Sequence, residues 1–187
     1  MNLLITGGAG FIGANFIHHV IDRPEITKLV NLDCLTYAGH PENLAVVAGH
    51  PKYAFEKVDL RDKAETLRVV RDHAITHVMH LAAESHVDRS ISGPGDFIHT
   101  NVVGTFNLLE ACRETWLNPQ SAIRNPQSDV RFHHVSTDEV YGSLGETGFF
   151  TETTPYDPSS PYSASKASSD LLVRAYPHTY HLPAVIT

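Results

Sequence analysis

A glycine-rich loop near the amino terminus constrains the possible folds of this chain more than any other feature. The run Thr-Gly-Gly-Ala-Gly-Phe-Ile-Gly at residues 6–13 follows a predicted strand and opens a predicted helix. Its glycines allow a sharp turn, close approach of a phosphate to the backbone and tight packing of helix on strand; they are Gly7, Gly10 and Gly13. Asp33 ends the next predicted strand about 20 residues later, where an acid can hydrogen-bond an adenosine ribose and repel a 2′-phosphate. The loop therefore predicts a dinucleotide-binding unit that favours NAD over NADP.

Short apolar strands alternate with helical stretches along the rest of the chain. Helical periodicity marks residues 11–21, 67–70 and 97–112, and a short helix is expected around residues 44–48. The predicted strands are residues 2–6, 28–32, 53–58, 77–81, 130–136 and 183–187. This alternation predicts an α/β fold, a doubly wound parallel sheet (Rossmann fold) with helices on both faces.

Two segments and one proline interrupt this pattern. Residues 116–129 contain Asn-Pro-Gln-Ser twice, at 118–121 and 125–128, which is typical of a surface loop. Residues 143–161 form a second long connection, and loops of such length are more often functional than idle. Pro177 lies where a helix that starts near residue 161 should continue, so we expect the last turn of that helix to break or kink.

The composition narrows the class of protein. A chain of 187 residues, 42% hydrophobic with a net charge of −7, suits one soluble domain with a real core. Negative net charge without a basic run argues against nucleic acid and anionic membranes as partners. No apolar run approaches the ~20 residues that a membrane span requires. Cys34 and Cys112 lack metal-type spacing, so reduced thiols and a cytoplasmic location are expected.

The thirteen histidines do not predict a metal site. His77 and His80 fall on opposite faces of a predicted strand, because their spacing is odd. The adjacent pairs at 18–19 and 133–134 also diverge. Surface or hydrogen-bonded histidines are the simpler interpretation.

Two residue pairs carry the candidate chemistry. Asp138 and Glu139 stand side by side just after a predicted strand, where both can turn towards one ligand. Neighbouring carboxylates push their pKa values apart, which suits an acid and a base acting together; which of them keeps the proton stays open. Tyr162 and Lys166 lie four residues apart, on one helical face. A lysine cation beside a phenol lowers its pKa, so that the tyrosinate can accept a proton from an alcohol.

Asp59 has two interpretations of equal weight. It ends the third predicted strand, so it can cap the helix that starts after residues 61–62, or it can contact an adenine amino group.

Taken together, these motifs resemble the extended short-chain dehydrogenase/reductase family. Within it, they are similar to the nucleotide-sugar 4,6-dehydratases, whose Asp-Glu pair the 4-epimerase relatives lack. The motifs are T-G-G-A-G-F-I-G at 6–13, L-T-Y-A-G at 35–39, H-L-A-A-E-S-H-V-D-R-S-I at 80–91, S-T-D-E-V-Y-G at 136–142 and S-P-Y-S-A-S-K-A-S-S-D at 160–170.

The resemblance implies a set of site residues. The implied cofactor is NAD, with Phe11 and Ile12 at its pyrophosphate. The other implied cofactor contacts are Gly7, Gly10, Gly13, Asp33, Leu35, Thr36, Asp59, Leu60, Leu81, Ala82, Ala83, Thr100, Tyr162 and Lys166. The implied substrate contacts are Ser85 and Thr137. The implied catalytic residues are Thr137, Asp138, Glu139, Tyr162 and Lys166.

The resemblance also implies a reaction and partners. dTDP-glucose, or a related sugar nucleotide with another base, would become a 4-keto-6-deoxy sugar nucleotide through transient reduction of NAD. Family members are longer, so residues 1–187 are expected to be the NAD-binding domain of a fragment that lacks the C-terminal substrate domain. The intact protein is expected to be a homodimer. Two alternatives stay open: a nucleotide-sugar 4-epimerase, and an NAD-binding module without turnover.

Overall fold

The computed structural model describes residues 1–118 and 129–187. Within them, six parallel strands form one sheet in the order β3-β2-β1-β4-β5-β6. The strands are β1 (Asn2–Thr6), β2 (Lys28–Asp33), β3 (Tyr53–Lys57), β4 (His77–His80), β5 (Arg131–His134) and β6 (Ala184–Ile186). The predicted doubly wound parallel sheet is therefore confirmed.

Helices connect these strands. The α-helices are α1 (Phe11–Val20), α2 (Lys63–Asp72), α3 (Val87–Ser92), α4 (Pro94–Phe97), α5 (Thr105–Leu117) and α6 (Pro161–Tyr180). A π-helical stretch, Ile98–Gly104, joins α4 to α5, and 3₁₀ turns occupy Pro41–Leu44 and Asp138–Tyr141. No helix in the described part of the chain is both long and apolar enough to cross a membrane.

Both faces of β1 are apolar because both are covered. Leu4 packs into a core with α2, α5 and α6, which includes Val70, Leu109 and Val173. The flanking Leu3 and Ile5 point to the other face and pack against α1 and the segment that follows Pro41–Leu44. A strand covered on both sides needs an apolar residue at every position, as a parallel sheet predicts.

The strand order positions the site. The chain passes from β1 outwards to β2 and β3, and then returns to β4 on the other side of β1. This reversal opens a crevice at the carboxyl ends of β1 and β4. Because all strands are parallel, the glycine loop and the segments after β2, β4 and β5 meet at that edge.

One prediction about a helix is wrong, and a second is wrong in part. The short helix expected around residues 44–48 is instead a 3₁₀ turn at Pro41–Leu44, which starts with its proline. Pro177 does not break α6, which continues to Tyr180, and the alternative of a kink stays a prediction. The proline lies in the last turn, where it removes only one backbone N–H. His181 then stops the helix in a left-handed conformation (φ 59°) and donates its N–H to the Pro177 carbonyl at 3.1 Å.

The two irregular segments differ in outcome. Residues 143–160 form a long connection without helix or strand, as predicted. Residues 119–128, which hold most of the repeated Asn-Pro-Gln-Ser, lie outside the described residues, so the surface-loop interpretation stays a prediction.

Candidate active site

The glycine loop forms a tight cradle at the carboxyl end of β1. Gly7 has φ +70°, and a Cβ there would lie 2.8 Å from the backbone N of Ala82. A Cβ on Gly13 would lie 2.3 Å from the Gly7 carbonyl oxygen. Gly10 caps α1 without a side-chain hydrogen bond. The first amides of α1 thus face a space that suits an anion.

Phe11 and Ile12 follow this cradle on the first turn of α1. They are 82% and 65% exposed, although both are large and apolar. Such exposure fits their implied place beside a bound pyrophosphate.

Asp33 joins the loop to the end of β2. Its carboxylate accepts the N–H of Ala9 at 2.9 Å and that of Leu35 at 2.8 Å. These bonds hold Leu35 in a left-handed conformation (φ 57°) and leave Thr36 exposed. Each carboxylate oxygen keeps a second lone pair, with which it could accept a ribose hydroxyl.

Asp59 does not cap α2. Asp62 is the N-cap and accepts the N–H of Glu65. Asp59 instead accepts three hydrogen bonds from Arg61, one from its backbone and two from its guanidinium. Partial burial opposes ionisation of Asp59, but the bonds from Arg61 outweigh it and keep the pKa of the carboxyl below its ordinary value. The capping interpretation is therefore wrong, and contact with adenine remains a prediction.

Leu60, the next residue, is buried and closes the same edge of the sheet. Its carbonyl accepts the side-chain N–H of Asn107 on α5 at 2.9 Å.

The segment after β4 lines the crevice. The N–H groups of Leu81 and Ala82 donate to Thr6 on β1, to its carbonyl and its hydroxyl, both at 3.2 Å. Ala83 is half-buried, and Ser85 is exposed. These four residues follow the carboxyl end of β4, and their contacts with a cofactor and a sugar nucleotide remain predictions.

Asn101 holds this segment against α6, and the sequence did not single it out. Its side chain accepts the N–H of Glu84 at 2.8 Å and donates to the Glu84 carbonyl at 2.9 Å. It also donates to the Ser165 hydroxyl on α6 at 2.8 Å. Thr100, an implied cofactor contact, is the preceding residue of the π-helical stretch and is half-buried.

The two candidate acids lie in the 3₁₀ turn Asp138–Tyr141 (the acid turn). Thr137 caps the turn by accepting the N–H of Glu139 at 3.3 Å. Val140 is 1% exposed and holds the turn against the core. Asp138 is exposed and Glu139 is half-buried.

Tyr162 lies at the start of α6, behind the capping box of Ser160 and Ser163. It is only 8% exposed, and burial is the main cause that raises the pKa of its phenol. A hydrogen bond with Thr137 opposes this rise. The negative charges of the acid turn add to it, and Thr137, which bonds the phenol, directly precedes Asp138. The structure thus brings the predicted tyrosine and acid pair together.

Lys166 occupies the next turn of α6 and is 4% exposed. Its amine donates to the Val135 carbonyl at 2.7 Å and lies 3.4 Å from Nε2 of His134. Burial lowers the pKa of Lys166 to about 8. The expectation that Lys166 lowers the pKa of Tyr162 is wrong for this arrangement, because the amine is held at the end of β5 and the pKa of the phenol is raised.

The predicted divergence of two histidine pairs is confirmed. His80 is buried and contacts Thr6 and Thr105, whereas His77 lies on the opposite face. His134 is buried next to α6, whereas His133 contacts Thr187. Across residues 1–118 and 129–187, no group of three or more His, Cys, Asp or Glu side chains is placed to hold a metal ion.

A groove of about 420 Å³ lies at the other end of the sheet. It runs between α1 and the first residues of β1, β4 and β5, and Phe16, Met79 and His133 are among its lining residues. None of the predicted site residues lines it.

Comparisons with known proteins agree with this geometry. The family model for GDP-mannose 4,6 dehydratase matches residues 4–187. A dTDP-glucose 4,6-dehydratase of Neisseria meningitidis is 59% identical over 186 residues, which cover 99% of this chain and 51% of that protein. The dTDP-glucose 4,6-dehydratase 1 of Escherichia coli K12 is 53% identical and covers 100% of this chain and 53% of that protein. The chain thus spans about half the length of the curated relatives it matches.

Solved structures show the same fold. A dTDP-glucose 4,6-dehydratase from Streptomyces venezuelae, crystallised with NAD, has a TM-score of 0.86 and 45% identity, covering 100% of this chain and 54% of that one. A UDP-glucose 4-epimerase from Thermus thermophilus, in complex with NAD, has a TM-score of 0.82 and 35% identity, with coverage of 100% and 54%. The predicted resemblance is confirmed, and the chain belongs to the GDP-mannose 4,6 dehydratase family.

Proposed function

We propose that residues 1–187 form the NAD-binding domain of a lyase that converts dTDP-glucose to dTDP-4-keto-6-deoxyglucose. The observation that carries this proposal is the position of Asp138 and Glu139 beside Tyr162, at the carboxyl end of β5. The relatives are about twice as long, and we assign the substrate domain to the part of their length that this chain does not cover.

The cradle fits NAD. The open first turn of α1 would bind the pyrophosphate, Asp33 the adenosine ribose, and Lys166 the nicotinamide ribose. The exposed Phe11 and Ile12 would border the phosphates. When bound, NAD would supply the reversible hydride chemistry that oxidises carbon 4 of the sugar and later reduces carbon 6.

Tyr162 is the proposed base for the 4-hydroxyl. Its phenolate would take the hydroxyl proton while the bond between carbon 4 and its hydrogen breaks. The hydrogen bond with Thr137 favours the phenolate. Lys166 lies on the same helical face one turn away, where its amine donates to the Val135 carbonyl.

Asp138 and Glu139 are the proposed elimination pair. The 4-ketone acidifies the proton on carbon 5, and Glu139 removes it. Asp138 donates a proton to the 6-hydroxyl, which leaves as water, and a double bond forms between carbons 5 and 6. Hydride then adds at carbon 6, and a proton returns to carbon 5. An acid and a base of this kind each contribute roughly 10²–10⁴ in rate.

A second candidate is a nucleotide-sugar 4-epimerase, since the epimerase from T. thermophilus shares the fold. Epimerisation needs the tyrosine and NAD but has no step for an acid pair. An NAD-binding module without turnover needs neither the tyrosine nor the acid pair. Loss of water from the substrate separates the dehydratase from both.

The test is turnover of dTDP-glucose by the complete gene product with NAD⁺, followed by mass spectrometry. We expect a product lighter by one water. Asp138→Asn and Glu139→Gln should each slow its formation by about 10²–10⁴, while NAD⁺ binding stays unchanged. Asp22→Asn is the matched control, because that side chain is 88% exposed and lies outside the predicted site. Undiminished rates in both acid variants would contradict the assigned roles.

A homodimer and a cytoplasmic location remain predictions for the complete protein. Light scattering of the purified gene product would test the first, and cell fractionation the second.

A further inference from the structure

A buried carboxylate, Asp170, lies behind the candidate catalytic residues. It is fully buried and sits on α6 one turn after Lys166, which itself follows Tyr162 by one turn. The regular spacing by four places all three side chains on one face of the helix. The mechanism proposed above does not use Asp170, yet a buried carboxylate is costly unless other groups satisfy it.

One oxygen of this carboxylate holds the segments on both sides of the acid turn. Oδ2 accepts the Ser136 hydroxyl at 2.5 Å and the Tyr156 phenol at 3.1 Å. Ser136 precedes the acid turn, and Tyr156 belongs to the long connection that follows it. The Tyr156 ring also packs edge-on against Tyr141, the last residue of the acid turn, with centroids 5.4 Å apart. Asp170 therefore fixes the acid turn against α6 from both ends.

The other oxygen faces a chain of polar groups that ends at Lys166. Oδ1 lies 3.2 Å from Nε2 of His134 but forms no hydrogen bond with the described residues. The same Nε2 lies 3.4 Å from the Lys166 amine. Burial lowers the pKa of His134, which opposes a positive charge on this ring. Lys166 is then the buried cation that compensates the charge of Asp170.

We propose that Asp170 is a positioning residue, which keeps Lys166 charged and holds the acid turn in place for the reaction. This inference rests on the proposed function. Two buried opposite charges stabilise each other strongly where water is excluded. Removal of the carboxylate charge would leave burial unopposed, and Lys166 would lose its proton at a lower pH.

Other titratable groups also face this pair. His80 projects from β4 and His134 from β5; Tyr156 comes from the long connection and Tyr162 from α6, while the exposed Arg174 acts on Tyr156. Asp170 raises the pKa of Lys166 against the larger effect of burial, so the sign of the expected change is fixed.

The first test is NMR titration of the lysine Cε signals in the ligand-free chain, which has five lysines. Lys166→Met identifies the signal of interest. In the wild type the midpoint should lie at about 8, and Asp170→Asn should move it down by about one, the lower end of the range for a nearby opposite charge. Asp170→Glu keeps the charge, so it should return the midpoint most of the way to the wild-type value. An unchanged midpoint in a folded Asp170→Asn protein would overturn the electrostatic role.

The second test needs no change at Asp170, so it holds even if Asp170→Asn does not fold. Ser136→Ala and Tyr156→Phe each remove one hydrogen bond to the carboxylate. Amide hydrogen exchange in the acid turn should accelerate by about tenfold, as the loss of one such bond predicts. Ser168→Ala is the control, because that hydroxyl bonds to Ala164 on the same helix. Unchanged exchange in both variants would overturn the positioning role.

The outcomes separate this inference from the proposed function. Both tests use the ligand-free chain, so they do not depend on turnover. Absence of dehydration by the complete wild-type protein would refute the proposed function and leave the two measurements intact. Normal dehydration with an unchanged midpoint and unchanged exchange would refute the inference alone.

Discussion

The buried amine of Lys166 should make the stability of the protein depend on pH. Burial lowers its pKa from 10.5 to about 8. At 1.36 kcal/mol for each pKa unit, the protonated amine therefore costs the native state about 3 kcal/mol. Between these two pKa values the unfolded chain binds more protons than the folded one, so this contribution to stability rises with pH. The rise begins near pH 7 and continues to about pH 10.5, so a measurement between pH 7 and pH 9 covers its first part.

Lys166→Met removes this dependence. Relative to the variant, the wild type should gain about 1.3 kcal/mol of unfolding free energy between pH 7 and pH 9. At any single pH the variant also loses the bond to the Val135 carbonyl and changes packing, so only the change across pH isolates the charge. Urea unfolding followed by circular dichroism at pH 7, 8 and 9 measures it.

The matched control is Lys57→Met on the edge strand β3, because Lys57 is exposed. The difference in unfolding free energy between this variant and the wild type should stay constant from pH 7 to pH 9. The reasoning fails if the Lys166→Met difference is equally flat, since the amine would then titrate as an ordinary surface lysine.

Three further predictions follow from the geometry. Gly13→Ala should destabilise the fold and abolish NAD⁺ binding, because its Cβ would lie 2.3 Å from the Gly7 carbonyl; thermal unfolding and fluorescence titration check this, and a normal melting temperature would contradict it. Asp33→Asn should reduce the preference for NAD⁺ over NADP⁺ by about tenfold, because the repelling charge is lost; an unchanged affinity ratio would count against the assignment. Leu109→Ala in the core should cost about 2–5 kcal/mol, whereas Val46→Ala, at a position 90% exposed, should be near neutral in urea unfolding.

The sequence predicts well those features that depend on neighbouring residues. The glycine loop, Asp33 and the strand–helix alternation are local patterns, because each depends on residues that are close in the sequence. The parallel sheet then brings the ends of β1, β2, β4 and β5 together, so the position of Asp138 near Tyr162 follows from topology as well. The cover of helices on both sides of that sheet also explains why both faces of β1 are apolar.

Features that depend on packing between distant elements could not be predicted in this way. The Val135 carbonyl accepts the amine of Lys166, a partner 31 positions away that is set by how α6 docks on β5. Asp62, which directly precedes Lys63, caps α2, whereas the Asp59 carboxylate is bound by Arg61. Asp170 did have a local signal, the spacing by four from Tyr162 and Lys166, but only its burial shows that the signal matters.

The most direct test of the account follows one hydrogen atom. dTDP-glucose with deuterium on carbon 4 is incubated with NAD⁺ and the complete gene product, and the product is analysed by NMR and mass spectrometry. The account predicts loss of one water and transfer of the deuterium to carbon 6. Deuterium that stays on carbon 4 of an isomerised sugar, or that is lost to solvent, would contradict it.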